Sequence, residues 1–287
     1  METAQKAQPI WGDRLYQQRA QRALPILVRQ AIAHQPIYYS QLAQELGMPN
    51  PRNLNYVLGS IGETLQQISA KWGVDIPSIN SLVINQISLL PGSGVFWVAD
   101  GPPNYRELSI SEKRDVIAGE FHNIYNFPLW LELLDELGLP HPQNPDYSHH
   151  LEAIRRGNYG GGEGEAHREF KEYVSRNPQI LGLPRRIGVG KVEFQLPSCD
   201  TADVLFENGS EWVVAEVKSH ISNSTDIYRG LYQCVKYDAL VRAYQKELGS
   251  SPSCRVVLVL EGKFPNELII LKNTLQIEVI DEVSIRS

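Results

Sequence analysis

The sequence predicts a mixed α/β (α+β) protein in two parts: a mainly helical first part, then a mixed sheet layered with helices. Three observations carry that expectation. Apolar residues recur at helical spacing up to about residue 70 and again over 112–139. Beyond residue 186 they alternate, or run continuously, in short segments bounded by turn residues. Between the two regimes lie HPQNPDYSHH (141–150) and GNYGGGEGE (157–165), rich in the residues that break regular structure. The expected boundaries are 1–110 for the first domain, 111–162 for a helical connector and Gly-rich linker, and 163–287 for the second domain.

Composition narrows the function classes. The 287 residues are 42% hydrophobic and 21% charged, a globular balance that excludes a disordered or fibrous chain. The net charge of −6 divides as −3 in each part about Gly160, so any contact with a polyanion has to be local. No apolar run approaches the ~20 residues a bilayer span needs, and METAQKAQPIWGD at the start lacks a signal-type apolar core. A cytoplasmic protein with no membrane partner is therefore expected. Cys199, Cys234 and Cys254 are an odd, widely spaced set, which argues against a disulfide framework and a structural zinc site.

In the first part, Leu24, Ile26, Leu27 and Ala31 mark a helix within 19–34 that Pro25 starts or kinks. Ser40 reads as the cap of a short helix that Gly47 stops. Pro51-Arg52-Asn53 opens a longer helix through Leu54, Val57, Leu58, Ile61, Leu65 and Ile68. SLVINQISLL (81–90), the turn PGSG (91–94) and VFWVA (95–99) read as a hairpin. Helix, helix, helix, hairpin is the order of a winged helix-turn-helix. In that geometry Arg52, Asn53, Asn55 and Tyr56 would face nucleic acid. The helix carries few cations, however, so dimerisation or domain packing is an equal alternative for this module. Residues 112–139 supply one or two more helices with an apolar stripe through Trp130, Leu131, Leu133, Leu134 and Leu137.

The second part reads α-β-β-β-α-β, then α-β. Its segments are a helix at 165–177, strands at 186–196, 202–206 and 211–219, a long helix at 225–248, and a strand at 254–262. A helix at 265–273 and a strand at 276–283 follow. Asn208-Gly209 joins two of the strands as a hairpin turn. The anomaly is charge inside apolar strands. Glu216 and Lys218 point to one face because strand side chains alternate. The hairpin brings Asp203 beside Glu216. Two carboxylates rarely share a buried position without a partner, and a divalent cation removes that penalty. Mg²⁺ is held by one or two carboxylates together with substrate phosphate. Lys218 could then orient or deprotonate water. A purely structural ion network of the same residues is the competing account.

Asp203 with Glu216-Val217-Lys218 resembles the D…(D/E)XK signature of the restriction-endonuclease-like, or PD-(D/E)XK, nucleases. The resemblance spans residues ~163–283, and the family core is αβββαβ. Ala202 stands where the family name implies proline. Gln233-Cys234-Val235-Lys236-Tyr237 is similar to the Q-x-x-x-Y of recombination-type exonucleases in this group. The resemblance implies a Mg²⁺-dependent deoxyribonuclease, with Mn²⁺ able to substitute. Asp203 and Glu216 would bind the metal, with the Val217 carbonyl as a further candidate ligand, and Lys218 would serve the attacking water. Glu165, with Glu169 as the second choice, would be the helix acid. Gln233, Tyr237 and Lys236 would touch the substrate backbone. An endonuclease of restriction or anti-phage defence type is expected, acting on double-stranded DNA, with a homodimer as one option for its assembly and the first domain as DNA or modified-base reader. The alternative is a non-catalytic winged-helix regulator that keeps a nuclease-like domain for recognition or dimerisation. The residues do not discriminate DNA from RNA.

Overall fold

The stripe Leu24, Leu27, Val28 and Ala31 buries one side of the first helix, α1 (Leu15–Ile32), which runs through Pro25 rather than starting at it. The structure is a computed structural model that describes residues 7–92, 105–143, 145–157, 164–209, 211–249 and 253–285. The chain divides into two compact units, residues 1–144 and 145–287.

In the first unit, β1 (Ile37–Tyr38) leads directly into α2 (Tyr39–Glu45). The entry to α2 is secured by Gln41, whose Oε1 accepts from the Tyr38 amide at 3.0 Å. Ser40 is therefore an exposed first-turn residue and not the expected cap. Asn50 caps the 3-10 turn Pro51–Asn53, which feeds α3 (Leu54–Trp72). Gly73, at φ 66°, ends α3 in the left-handed conformation that glycine adopts without strain. Leu54, Val57 and Ile61 of α3 meet α1 in one core. That core also takes Ile124 from α4 (Ile110–Asn126) and Trp130, Leu133 and Leu134 from α5 (Trp130–Glu136). The helices expected as a connector thus belong to the first unit.

The expected strand over 81–90 shrinks to β2 (Val83–Ile84), which pairs parallel with β1. The reason is Asn85. Its side chain accepts from the amides of Ile87 and Ser88 at 2.9 and 3.1 Å, turning the chain out of extended conformation. Ile84 makes an isolated antiparallel bridge with Pro91, and the expected partner strand 95–99 lies outside the described residues.

The second unit starts with α6 (Ser148–Arg155), a helix where the sequence reads as linker. Then α7 (Glu165–Arg176), β3 (Lys191–Gln195), β4 (Thr201–Glu207), β5 (Glu211–Lys218), α8 (Ser224–Glu247) and β6 (Ser253–Leu260) follow. They reproduce the expected αβββαβ order, completed by α9 (Ile269–Thr274) and β7 (Glu278–Ile280). The five-stranded sheet runs β3-β4-β5-β6-β7, antiparallel up to β5 and parallel from β5 on. Strand alternation sorts its two faces. Val204, Phe206, Val213, Ala215 and Val217 pack with Phe170 and Val174 of α7. Leu205, Val214 and Leu258 pack with Leu231, Cys234, Tyr237 and Val241 of α8. The expected strand over 186–196 is shorter because residues 185–187 form a 3-10 turn and Gly188 has φ 83°.

Among the described residues, no helix is long and apolar enough to cross a membrane.

Candidate functional site

The β4–β5 hairpin turns at Asn208, whose Oδ1 accepts from the Glu211 amide at 2.7 Å, with Gly209 at φ 78°. The ladder it sets pairs Glu207 with Trp212 and ends at Val204 with Ala215. Beyond that step β4 continues along β3 to Thr201, and β5 continues along β6 to Lys218. The two strands part company there. The Val217 amide donates at 2.9 Å to Oδ2 of Asp203. A side-chain carboxylate thus takes an amide at the place where the β4–β5 pairing has ended.

Glu216 and Lys218 flank Val217 on the face that α8 covers. Lys218 Nζ donates to Glu216 Oε1 at 2.6 Å and to Gln233 Oε1 at 3.3 Å. Glu216 is 2% exposed. Gly230 makes this approach of α8 possible, because a Cβ there would lie 3.0 Å from Leu258 Cδ1 and 3.1 Å from Lys218 Cε. From α7, His167 Nε2 and Lys171 Nζ each lie 3.7 Å from Asp203 Oδ1. Lys171 is 1% exposed and also donates to Glu193 Oε1 at 2.9 Å. Glu193 sits on β3 between the paired residues Val192 and Phe194, with φ 53°, a strained backbone state for a residue with a side chain.

The electrostatics are uneven. Burial drives the Glu216 carboxyl up to about 8, and the neighbouring Asp203 pushes the same way, against the pull of Lys218. Burial also opposes ionisation of Asp203. There the His167 imidazole, the Val217 amide and the Lys218 ammonium outweigh it and hold the carboxyl below its usual range. One carboxylate is thus favoured as the anion and its neighbour as the acid. Cys234, buried beneath them, has its thiol raised well above its ordinary value by burial and then by Glu216; it is a packing residue.

The structure brings Asp203, Glu216, Lys218 and Gln233 together, and adds His167, Lys171 and Glu193. It does not bring in Glu165, whose exposed carboxylate lies 3.5 Å from Arg168 Nη2. Glu169 is also exposed. The helix phase explains both. Residues 167, 170, 171 and 174 form the inward stripe of α7, and 165 and 169 fall outside it. That i, i+3, i+4, i+7 stripe, holding two titratable residues beside Phe170 and Val174, is the sequence signal that would have singled out His167 and Lys171.

Two other expected substrate contacts are engaged within the fold. Tyr237 donates its hydroxyl to the Thr201 carbonyl at 2.7 Å, and Lys236 is paired with Asp200. Both tie α8 to the start of β4. In the first unit, Arg52, Asn53, Asn55 and Tyr56 are exposed at the start of α3, and the Arg52 amide donates to Asn50 Oδ1 at 2.9 Å.

Among the described residues, no group of three or more His, Cys, Asp and Glu side chains is arranged to hold a metal ion. A buried Glu216 beside a half-buried Asp203 nevertheless suits a hard cation that takes its remaining oxygens from water and phosphate. The chain matches no protein-family model, no curated protein and no solved structure.

Proposed function

We propose that the chain is a Mg²⁺-dependent nuclease of the PD-(D/E)XK type that hydrolyses DNA phosphodiester bonds, with Mn²⁺ able to substitute. One observation carries this reading above the others. Asp203, Glu216 and Lys218 converge where β4 and β5 separate, with the lysine held by both Glu216 and Gln233. The αβββαβ order and the Q-x-x-x-Y on α8 support it.

Asp203 and Glu216 would hold the metal, with the Val217 carbonyl as a further oxygen. When bound, the metal supplies positive charge against the developing phosphorane charge and a lowered pKa for nearby water. Lys218 stands beside this pair, where its ammonium can orient water for in-line attack or hold a phosphate oxygen. Gln233 fixes Lys218 by accepting from its Nζ. His167, the Val217 amide and Lys218 keep Asp203 ionised, and Lys171 stands 3.7 Å from its Oδ1. Glu165 has no part in this scheme. The exposed start of α3, with Arg52 and Asn53, is the surface that would contact the duplex outside the site. A setting in restriction or anti-phage defence follows from the resemblance alone.

Incubation of the full chain with plasmid DNA and Mg²⁺ or Mn²⁺ tests the reading. Cleavage that stops with EDTA and is absent in Asp203→Asn is the expected result. Intact plasmid under all metal conditions, or equal cleavage by the variant, would contradict it.

A further inference from the structure

We propose that a cavity between α6 and α8 receives one unpaired nucleobase of the substrate strand beside the phosphate that is cut. This rests on the nuclease reading and adds the form of its substrate: a strand that is single, or locally opened, at the point of cleavage.

The cavity measures about 560 Å³, within the range of small-ligand sites and ample for a planar base. Its apolar walls are Leu151 and Ile154 on α6 and the rings of Tyr228 and Tyr232 on α8. Leu151 and Ile154 are three residues apart, and Tyr228 and Tyr232 four apart, so each pair presents one helix face. Tyr228 is 5% exposed and stacks on the buried His150 ring at 4.8 Å. It is a fixed backing for Tyr232, whose ring lies 5.1 Å away and is 44% exposed. An exposed aromatic held by a buried one is a stacking platform, and every base has a π-face to offer it.

The remaining lining residues say which planar ligand belongs there. They are Arg229, Gln233 and Lys236, two cations and an amide, and the lining includes no carboxylate. Lys236 is held by Asp200, so the occupant is chosen by Gln233, which joins the cavity to the candidate site. Gln233 supplies the register. Its Oε1 accepts from Lys218 Nζ at 3.3 Å, and the same side chain lines the cavity. A base stacked on Tyr232 would therefore sit one side chain from the group that serves the attacking water. A base inside a duplex is stacked on both faces and has none to offer Tyr232, so a base seated there is out of the duplex stack.

The test is affinity of the full chain for a single-stranded oligothymidylate and for a blunt duplex of equal length, read by fluorescence anisotropy. Ca²⁺ replaces Mg²⁺ as an oxygen-binding cation, and strand integrity is checked on a gel. Tyr232→Ala is expected to weaken single-strand binding roughly tenfold, the scale of one lost stacking contact. Its duplex affinity and salt dependence should stay unchanged, because no phosphate contact is removed. Tyr232→Phe should bind like the wild type, and Ile154→Trp, which fills the cavity, should act like the alanine variant. Equal single-strand affinity in wild type and Tyr232→Ala, or equal losses for single strand and duplex, would overturn the proposal. If plasmid is still cleaved with Mg²⁺ in that case, the nuclease reading survives and only the base pocket falls. A wild type that neither binds nor cleaves either substrate removes both.

Discussion

Both units bury charge, and they do it differently. In the first unit Arg29 meets Glu45 through two hydrogen bonds, Nη1 to Oε2 at 2.9 Å and Nη2 to Oε1 at 2.8 Å. Both side chains are less than one-tenth exposed. This is a matched bidentate pair between α1 and α2, and it completes a core. In the second unit two carboxylates crowd one strand junction. Glu216 is pushed toward the acid form, and Asp203 is held as the anion by groups from α7 and β5. A matched pair needs nothing more. In the crowded one Lys218, His167 and Lys171 stand against two carboxylates that oppose each other, and Glu216 still rises toward the acid form; this difference sets the candidate site apart from the matched pair.

The sharpest way to break the comparison is to remove the lysine on the crowded side. Lys218→Ala should lower kcat of DNA cleavage by about 10²–10⁴-fold, the usual contribution of a positioned acid–base group. KM should change little, a split that steady-state kinetics on a labelled oligonucleotide will show. On the matched side the effect is on stability. Arg29→Ala leaves Glu45 buried without its fork and should cost about 3–5 kcal/mol in urea unfolding, with cleavage by the surviving folded fraction intact.

A smaller effect sharpens the picture of α6 and α8. His150 is buried, with Nδ1 3.0 Å from Thr225 Oγ1. Burial, and then His149, depress its pKa below 6.5, against a weaker opposite pull from Glu267. The folded form therefore takes up its proton at a lower pH than the unfolded chain, which does so near pH 6.5. The stability His150 contributes is present above that pH and lost as pH falls. His150→Asn should flatten the acid limb of stability against pH, by at most ~1.4 kcal/mol per pH unit. An unchanged limb would show that the ring is not held neutral.

Much of this site is readable from alternation alone. Asp203, Glu216 and Lys218 stand out because they interrupt apolar strands, and Asn208-Gly209 sets which residues face one another. The parts that escape the sequence reading follow from helix phase and competing partners. Glu165 is at the right distance along the chain but on the wrong side of α7, whereas His167 and Lys171 lie on its buried stripe. Lys236 and Tyr237 are expected as substrate ligands because the Q-x-x-x-Y resemblance implies it, yet Asp200 and the Thr201 carbonyl engage them. In the first unit the strand at 81–90 fails because Asn85 bonds its own following amides, a local competition that apolar patterning does not register. The helix α6 is hidden by the two prolines just before it, which mark the loop but not where the loop ends.

The central claim is that the crowded carboxylates await a cation. Thermal unfolding of wild type and Glu216→Gln, each with and without Mn²⁺, tests it most directly. The Glu216 carboxyl rises from 4.5 to about 8 on folding, so its ionisation weakens the metal-free fold as pH climbs through that window. At pH 8.5 without metal the Gln variant should melt higher than wild type, with the gap closing near pH 5. Mn²⁺ should raise the wild-type Tm and leave the variant unmoved. A variant that melts lower than wild type at pH 8.5, with Mn²⁺ shifting both proteins equally, would contradict the claim and leave Glu216 as one more structural ion pair.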